Sequence, residues 1–195
     1  GLLALYDPPK KNIASVLKQF YDAKIDIKMI TGDYPETAIN IAGQVGIINH
    51  LKYTTGDAVM NMKEEELKQV VKSRNIFARM FPDAKLKVID ALKANGEIVA
   101  MTGDGVNDGP ALKSASIGIA MGEKGTEIAR QASDLILTDD NMERMVTAIS
   151  EGRKIFNNLK KAVRYIISIH IPIILVASLP LLFGWAYPNI FTPIH

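Results

Sequence analysis

The chain has 195 residues, of which 48% are hydrophobic and 23% are charged. This composition allows a sizeable buried core and excludes an intrinsically disordered protein. The net charge of +2 comes from dispersed basic residues, which gives no case for nucleic-acid binding, and the absence of cysteine excludes disulfides and thiolate metal sites.

Short apolar runs alternate with amphipathic segments from Leu2 to about Asp140, which is the pattern of repeated β–α–β units. The predicted strands are Leu2–Leu5, Ile27–Ile30, Ile76–Ala78, Ile98–Met101, Ile117–Ala120 and Leu135–Leu137. The predicted helices are Lys11–Ala23, Pro35–Val45, Glu64–Ser73, Ala84–Ala94 and Asp108–Ser114. Several strands are almost continuously apolar, as in a parallel sheet covered by helices on both faces. The sequence therefore predicts an α/β fold with a parallel sheet flanked by helices.

A small polar turn, Thr31-Gly32-Asp33, directly follows the second predicted strand. Its hydroxyl and its unhindered glycine N–H are suited to phosphate oxygens. Asp33 can equally be only the cap of the helix that begins at Pro35. Lys85 lies near the start of a later helix, where a lysine either adds positive charge to an anion site or is simply solvated.

The segment Thr102 to Pro110 places Asp104 and Asp108 four positions apart in a glycine-rich turn after an apolar strand. Ligands of α/β folds bind at the carboxyl ends of parallel strands. Carboxylate oxygens there suit Mg²⁺, which takes one or two carboxylates and completes its shell with water and phosphate. The simpler alternative is an ordinary Gly-Asp turn followed by a capped helix.

The last part of the chain has a different character. Ile166 to Trp185 contains no Asp, Glu, Lys or Arg, and twenty residues of helix extend ~30 Å, which is enough to span a bilayer core. Trp185 and Tyr187 are placed for an interfacial aromatic belt, and Pro172 and Pro180 predict kinks or unwinding. The basic flank that indicates a cytoplasmic side consists of Arg153, Lys154, Lys160, Lys161 and Arg164.

Short motifs spread over the whole chain belong together as a set. In chain order they are Thr31-Gly32-Asp33, Phe77-Ala78-Arg79 with Pro82 and Lys85, Thr102 to Pro110, Gly118-Ile119-Ala120-Met121-Gly122, Ala132-Ser133-Asp134, Asp139-Asp140-Asn141, Glu151-Gly152-Arg153, Asn157-Asn158 and Arg164-Tyr165. This set closely resembles the phosphorylation domain of P-type cation-transporting ATPases, which belongs to the haloacid-dehalogenase-like (Rossmann-like) superfamily. The resemblance is strongest to the calcium-pump-like bacterial members.

The resemblance implies a division into four parts. Residues 1–140 would be the C-terminal part of the phosphorylation domain, 141–165 a cytoplasmic stalk helix, 166–187 the fifth transmembrane helix, and 188–195 a loop toward the next one. It implies a protein of the bacterial plasma membrane with residues 1–165 in the cytoplasm. The implied partners are the lipid bilayer, a transported cation with Ca²⁺ among the candidates, and the rest of the pump with its nucleotide-binding and actuator domains and other transmembrane helices.

The resemblance also implies catalytic roles, with Mg²⁺ and ATP as cofactors. Asp104 would ligate the catalytic Mg²⁺, and Asp108 would support the metal site through hydrogen bonds and bound water. Thr31 and Gly32 would hold phosphoryl oxygens, and Lys85 would neutralise charge that develops during transfer. Positioning and electrostatic stabilisation of this kind are the main sources of phosphoryl-transfer catalysis.

Three further residues complete the predicted cofactor site. Asp33 would contribute near the nucleotide and the phosphorylated carboxylate, and Asp7 would lie by the hinge to the nucleotide-binding domain. Asn107, between the two aspartates of the turn, joins the same cofactor-binding set.

The family's phosphorylated aspartate lies in an Asp-Lys-Thr-Gly-Thr motif that does not occur in this chain, and neither does the Thr-Gly-Glu motif of the actuator domain. The chain therefore reads as a piece of a longer protein that is inactive alone and supplies half of an active site. One alternative is a soluble phosphatase of the same superfamily, which requires a nucleophilic aspartate within the chain and no membrane span. Another is a truncated, non-catalytic module that binds Mg²⁺ or phosphate.

Several positions depart from the family pattern. Tyr34 stands where asparagine is common, with no evident consequence. In the membrane helix, His170 and Ile173 stand where the calcium pumps have an asparagine and a glutamate, which puts selectivity for Ca²⁺ in doubt. Ser168 and His170 are the predicted transported-ion candidates, although a polar group in a membrane helix serves equally well for helix–helix hydrogen bonding.

Overall fold

The computed structural model describes residues 9–10 and 12–183, which fall into two compact units divided between Val146 and Thr147. The first unit consists of parallel strands and helices, which confirms the predicted α/β class. The second contains most of one long helix. The predicted features that lie outside the described residues are the strand Leu2–Leu5, Asp7, the helix start at Lys11, Trp185, Tyr187 and the loop 188–195.

The first unit contains six short strands and seven helices among its described residues. The strands are β1 (Met29–Ile30), β2 (Tyr53–Thr55), β3 (Ile76–Ala78), β4 (Ala100–Gly103), β5 (Ile117–Met121) and β6 (Leu135–Leu137). The helices are α1 (Ile13–Asp22), α2 (Pro35–Val45), α3 (Gly56–Asn61), α4 (Glu64–Ser73), α5 (Pro82–Ala94), α6 (Gly109–Ser114) and α7 (Glu127–Ala132). The eighth helix, α8 (Glu143–Leu182), begins in this unit and continues into the second.

The strands form two three-stranded parallel sheets where the sequence predicted one. The order is β1-β3-β2 in the first sheet and β4-β5-β6 in the second, so β1 and β4 are edge strands among those that the structure describes. Ile30 in β1 and Val99 before β4 both pack against the hydrophobic cores of both sheets. The two sheets therefore adjoin along these edges, but no backbone ladder joins β1 to β4 within the described residues.

Several elements differ from those predicted because their residues carry weak periodic signals. β2, α3 and α7 were missed, since their short segments carry no clear apolar run or helical periodicity. α3 begins with a capping bond from the Ala58 N–H to the Thr55 hydroxyl rather than with an apolar pattern. The predicted strand at Ile98 begins two residues later, and Asp108 belongs to a turn of 3-10 helix (Val106–Asp108) that precedes α6.

Helix α5 packs against both sheets. Val88 belongs to the core of the first sheet, which contains the fully buried Phe77 of β3, whereas the adjacent Ile89 belongs to the core of the second. Consecutive helical residues point about 100° apart, so one helix can cover two cores. This packing places the first turn of α5, which carries Lys85, next to both sheets.

Helix α8 is long and apolar enough to cross a membrane, by its length and composition. Of the kink or unwinding predicted at Pro172 and Pro180, the unwinding does not occur, because the helix continues through both residues. A proline inside a helix removes one N–H donor, and the remaining hydrogen bonds on both sides can preserve the helical path. The apolar side chains of its second half, such as Ile171 and Leu175, are about half exposed.

Candidate functional site

The loop after β1 carries the predicted phosphate-binding residues and is fixed to the loop after β3. Thr31 donates its N–H to the Phe77 carbonyl at 2.9 Å, and its own carbonyl accepts from the Met80 N–H at 2.9 Å. The Asp33 carbonyl accepts from the Arg79 N–H at 2.8 Å. Two neighbouring parallel strands thus hold this loop at the carboxyl edge of the first sheet, where α/β folds bind ligands.

Within this loop, two groups remain able to donate hydrogen bonds. The Thr31 hydroxyl accepts a bond from the Asp33 N–H at 3.1 Å, and it keeps its own proton for another acceptor. Gly32 is exposed, and its N–H has no hydrogen-bond partner in residues 9–10 and 12–183. The loop can therefore offer a hydroxyl and a backbone N–H to an anion.

The two aspartates of the loop after β4 have different surroundings. Asp104 is exposed, and its backbone carbonyl accepts from the Thr126 N–H at 2.8 Å. No bond to its carboxylate occurs within the part of the chain that the structure describes. Asp108 is buried, and its Oδ2 accepts from the Gly105 N–H at 3.4 Å. Asp104 is thus the carboxylate that is open to an incoming cation.

Lys85 and Asp108 form an ion pair that joins α5 to the loop after β4. Lys85 Nζ lies 2.7 Å from Asp108 Oδ1, and the two side chains are only 13% and 12% exposed. Removing one partner of such a pair leaves an uncompensated buried charge, which is costly. The resemblance implied that Lys85 neutralises phosphoryl charge, but nothing in the sequence indicated Asp108 as its partner.

The carboxylates present fit Mg²⁺ better than a metal that requires several protein ligands. No group of three or more His, Cys, Asp or Glu that could hold a metal occurs among the described residues. Mg²⁺ is held by one or two carboxylates together with water and substrate phosphate, so the pair Asp104 and Asp108 is sufficient. Because Lys85 and Gly105 already occupy both oxygens of Asp108, Asp104 is the better direct ligand.

Gly103 is required by the packing of the acidic loop. A Cβ at this position would lie 2.7 Å from the Asp108 Cβ, closer than real carbon contacts allow. The absence of a side chain therefore lets the Asp108 side chain turn back across the end of β4 toward Lys85. The run Gly103-Asp104-Gly105 in the sequence indicated a tight turn, but it did not show which glycine is in contact with Asp108.

Arg79, in the loop after β3, had no role predicted from the sequence. Its backbone has φ 53°, a left-handed conformation that is uncommon for residues other than glycine. Its guanidinium lies 4.6 Å from the centre of the Tyr34 ring, within the range of a cation–π contact. Tyr34, which departs from the family pattern, therefore contacts the arginine of the neighbouring loop. The unusual residue at position 34 was the available signal, but its partner could not be read from spacing.

Four predicted site residues remain, two in the loops of the first unit and two in helix α8. Asp33 and Asn107 are exposed in the two loops, and the described contacts do not join either side chain to Lys85 or Asp104. In the second unit, Ser168 donates to the Tyr165 carbonyl at 2.9 Å. His170 Nδ1 lies 2.8 Å from the Ile166 carbonyl. Both polar side chains of the membrane-helix candidate thus bond within their own helix.

A family profile described as "haloacid dehalogenase-like hydrolase" matches residues 1–116, which is more than half of the chain. A solved structure titled "Conformational changes in the catalytic domain of the CPx-ATPase CopB-B upon nucleotide binding" shares the fold. Its TM-score is 0.57 with 24% identity, over 74% of this chain and 46% of that one. The chain belongs to the haloacid dehalogenase-like hydrolase family.

Within this family, the chain is similar to part of several cation-transporting ATPases. It is 41% identical to "Calcium-transporting ATPase 1" of Bacillus cereus, over 100% of this chain and 22% of that protein. It is 42% identical to "Calcium-transporting ATPase 1" of Saccharomyces cerevisiae, over 96% of this chain and 20% of that protein. It is 42% identical to "Cation-transporting ATPase pma1" of Synechocystis, over 93% of this chain and 21% of that protein. The resemblance to P-type ATPases is confirmed, and the chain spans about a fifth of the length of these relatives.

Proposed function

We propose that this chain is a segment of a P-type ATPase that couples ATP hydrolysis, through an aspartyl-phosphate, to cation transport across a membrane. In this proposal the chain supplies the half of the catalytic site that binds Mg²⁺ and stabilises phosphate. The observation that carries the proposal is the buried Lys85–Asp108 pair together with Asp104, whose exposed carboxylate has no partner among the described residues, in the loop after β4.

Each residue of this half-site has a physical task. The Thr31 hydroxyl and the Gly32 N–H donate to phosphoryl oxygens, and Lys85 places a cation where negative charge accumulates during transfer. Asp104 holds Mg²⁺, which when bound offsets the charge of the phosphate oxygens. Asp108 fixes the Lys85 ammonium through a contact of 2.7 Å.

The nucleophile is supplied, in this proposal, by the Asp-Lys-Thr-Gly-Thr segment of the full-length polypeptide. The arrangement of the sheets supports this assignment. Among the described strands β1 and β4 are edge strands, and Ile30 in β1 and Val99 before β4 contact both cores. One further parallel strand between these edges would pair with both and would end beside Thr31 and Asp104. That position brings a terminal aspartate of the added strand to the phosphate-binding and metal-binding loops.

The catalytic assignment is tested by phosphorylation of the full-length polypeptide. With ATP and Mg²⁺ it is expected to form an acid-stable phosphoenzyme, and Asp104→Ala is expected to abolish it. Asp22→Ala, which removes an exposed carboxylate at the end of α1, is the matched control and should leave the phosphoenzyme unchanged. Normal phosphoenzyme in the Asp104→Ala protein would overturn the assignment.

The same assay separates the pump from the alternatives. The 195-residue chain alone is expected to form no phosphoenzyme and to leave p-nitrophenyl phosphate intact, because it lacks the nucleophile. Hydrolysis by the chain alone, abolished by Asp104→Ala, would instead favour a soluble phosphatase. Specific Mg²⁺ or phosphate binding without phosphorylation of any longer polypeptide would favour the non-catalytic module.

The membrane part of the proposal concerns α8. We place its apolar half in a bilayer as a transmembrane helix and its basic half in the cytoplasm, with residues 1–165 on that side of a bacterial plasma membrane. The composition of the helix supports this placement. Membranes that contain the chain should retain it during alkaline carbonate extraction, and its release would count against the span.

We propose that Ser168 and His170 are the side chains of this helix that contact the transported ion. If Nδ1 of His170 donates its proton to the Ile166 carbonyl, Nε2 remains an acceptor that can bind a cation. The residues Ile166–Phe183 contain no carboxylate, so the ligand set differs from one built for Ca²⁺. Phosphoenzyme formation in vesicles should be compared for Ca²⁺, Mn²⁺, Mg²⁺, Na⁺, K⁺ and H⁺. His170→Ala is expected to weaken the response to the transported ion.

A further inference from the structure

Asp140 is a buried carboxylate to which the proposed chemistry gives no task. It lies between β6 and α8, is 6% exposed, and has φ 49°. Its two carboxylate oxygens accept the backbone N–H groups of Glu123 and Lys124, each at 3.1 Å. Burial alone would raise the pKa of Asp140, but the N–H groups of Glu123, Lys124 and Gly122 outweigh it and hold the pKa below its ordinary value. The carboxylate is therefore charged at neutral pH.

The bonds of Asp140 fix one end of the segment 122–126, which we call the glycine loop. Gly122 donates its N–H to the Leu137 carbonyl at 2.8 Å, and its own carbonyl accepts from Arg130 at 2.8 Å. A side chain at Gly125 would overlap the Met121 carbonyl, so the loop turns tightly back onto β5. These contacts leave the glycine loop little freedom as long as Asp140 holds its N–H groups.

The other end of the glycine loop holds Asp104. The Thr126 N–H donates to the Asp104 carbonyl at 2.8 Å. The Thr126 hydroxyl also accepts from the Ala129 N–H at 3.2 Å and so caps α7. The backbone of Asp104 is thus fixed by a residue whose own position depends on the cap of α7 and on the glycine loop.

We propose that Asp140 is a positioning residue for Asp104, acting through the glycine loop. The carboxylate of Asp140 holds residues 123 and 124, which set the position of Thr126, and the Thr126 N–H sets the backbone of Asp104. The inference rests on the proposed function only in taking Asp104 as the Mg²⁺ ligand. Groups that hold a metal ligand in place from behind commonly affect metal affinity about 10- to 100-fold.

Asp139 provides a matched control one residue away. Its carboxylate accepts from the Asn141 N–H at 3.2 Å and from Arg144 at 3.3 Å. The hydrogen bonds of its side chain do not involve the glycine loop. Asp139→Asn and Asp140→Asn therefore remove the same charge at nearly the same place, but only the second disturbs the contacts with Glu123 and Lys124.

The test compares the full 195-residue chain and its two variants in detergent. Asp140→Asn replaces one of the two accepting oxygens by an NH₂ donor, which cannot accept from the N–H that faces it, so that bond is lost. We expect amide hydrogen exchange at Thr126 to become at least about 10-fold faster and Mg²⁺ binding to weaken about 10-fold, as monitored by the Gly105 amide signal during Mg²⁺ titration. The Asp139→Asn chain should match the unmodified chain in both measurements.

Two results would overturn the proposal. The first is an amide exchange rate at Thr126 that is the same in Asp140→Asn as in Asp139→Asn. The second is an equal acceleration of exchange in Asp140→Asn at all amides of the first unit, because Asp140 would then only stabilise the fold as a whole. Asp140→Glu keeps two acceptor oxygens and guards against a variant that does not fold. It should exchange at Thr126 more slowly than Asp140→Asn, and equal or faster exchange counts against the proposal.

The experiment also separates this inference from the proposed function. Amide exchange at Thr126 is measured without Mg²⁺. It therefore reports on the hydrogen bond between the Thr126 N–H and the Asp104 carbonyl independently of metal binding. If the unmodified chain shows no response to Mg²⁺ at Gly105, the metal assignment of Asp104 fails. The effect of Asp140 on Thr126 exchange still decides whether Asp140 positions this loop.

Discussion

The two sheets of the first unit end in loops of opposite chemical character. The loop after β1 offers hydrogen-bond donors, the Thr31 hydroxyl and the Gly32 N–H, whereas the loop after β4 offers the carboxylates of Asp104 and Asp108. The Lys85–Asp108 contact of 2.7 Å links α5 to the acidic loop. In the proposed site, the donors for an anion and the ligands for a cation therefore come from the loops of two different sheets.

The two loops also differ in how tightly they are packed. A Cβ at Gly32 would lie 3.6 Å from the Met80 carbonyl, an ordinary contact, whereas a Cβ at Gly103 would lie 2.7 Å from the Asp108 Cβ. The donor loop has room at its glycine, and the acidic loop has none. A substitution should therefore affect ligand binding in the first loop and folding in the second.

The largest expected effect comes from breaking the contact between α5 and the acidic loop. Lys85→Met should slow phosphoenzyme formation by the full-length polypeptide roughly 100- to 1,000-fold, because it removes the cation that is proposed to neutralise the phosphoryl group. It should also destabilise the chain by about 3 kcal/mol, since Asp108 becomes an unpaired buried charge. Quench assays measure the first effect and chemical denaturation of the 195-residue chain measures the second.

A double variant separates the two consequences. Lys85→Met combined with Asp108→Asn removes the unpaired charge, so stability should return to within about 1 kcal/mol of the unmodified chain while phosphorylation remains slow. Lys72→Met, on the exposed face of α4, is the control for loss of a lysine. If the double variant recovered phosphorylation, Lys85 would serve only to stabilise Asp108.

The contrast in packing predicts opposite outcomes for two glycine substitutions. Gly103→Ala should lower the free energy of unfolding by about 1–3 kcal/mol, because the added carbon overlaps Asp108. Gly32→Ala should leave stability nearly unchanged and instead weaken phosphate binding by crowding the approach to its N–H. Denaturation curves for the two variants provide the comparison, and equal stability losses would contradict the difference between the loops.

A smaller effect is expected at the hydroxyl of the donor loop. Thr31→Val keeps the shape of the side chain but removes the acceptor for the Asp33 N–H, which should cost about 1 kcal/mol of stability. It also removes a donor to phosphate, so phosphate affinity should fall. Thr31→Ser restores the hydroxyl and should recover phosphate affinity, and an equal loss in both variants would assign the effect to the methyl group.

The smallest expected effect is on acid stability. The pKa values of Asp139 and Asp140 lie below the ordinary value in the folded chain, so the unfolded state binds more protons as the pH falls. Their contribution is fully present above about pH 4 and is lost as the pH drops through the lower folded pKa values. The thermal midpoint of Asp140→Asn should therefore fall less steeply between about pH 5 and pH 3 than that of the unmodified chain. This pH range is set by the unfolded pKa of about 3.9. Parallel slopes would contradict this.

The sequence predicted the elements whose residues carry a strong local pattern. β3, β6, α2 and α4 have the predicted bounds, since apolar runs and helix-start signals define them within a few residues. β2 and α3 depend on pairing with β3 and on a threonine cap, which a short polar segment does not reveal. The separation into two sheets was equally invisible, because edge pairing is decided between strands far apart in sequence.

The site was predictable in its residue types but not in its contacts. The strand-end positions of Thr31, Asp104 and Asp108 follow from the motif order. The pairing of Lys85 with Asp108, however, depends on a three-dimensional approach across 23 residues. The Arg79–Tyr34 stack and the path from Asp140 to Asp104 likewise arise from loops that meet only after the sheets have formed.

The edges of β1 and β4 have a consequence for handling the protein. In the part of the chain that the structure describes, neither edge is paired on its outer side, and β4 presents four residues of backbone there. Open strand edges recruit strands from other molecules. If these edges stay open in the whole isolated segment, it should self-associate as its concentration rises, and a soluble peptide of matching strand pattern should keep it monodisperse.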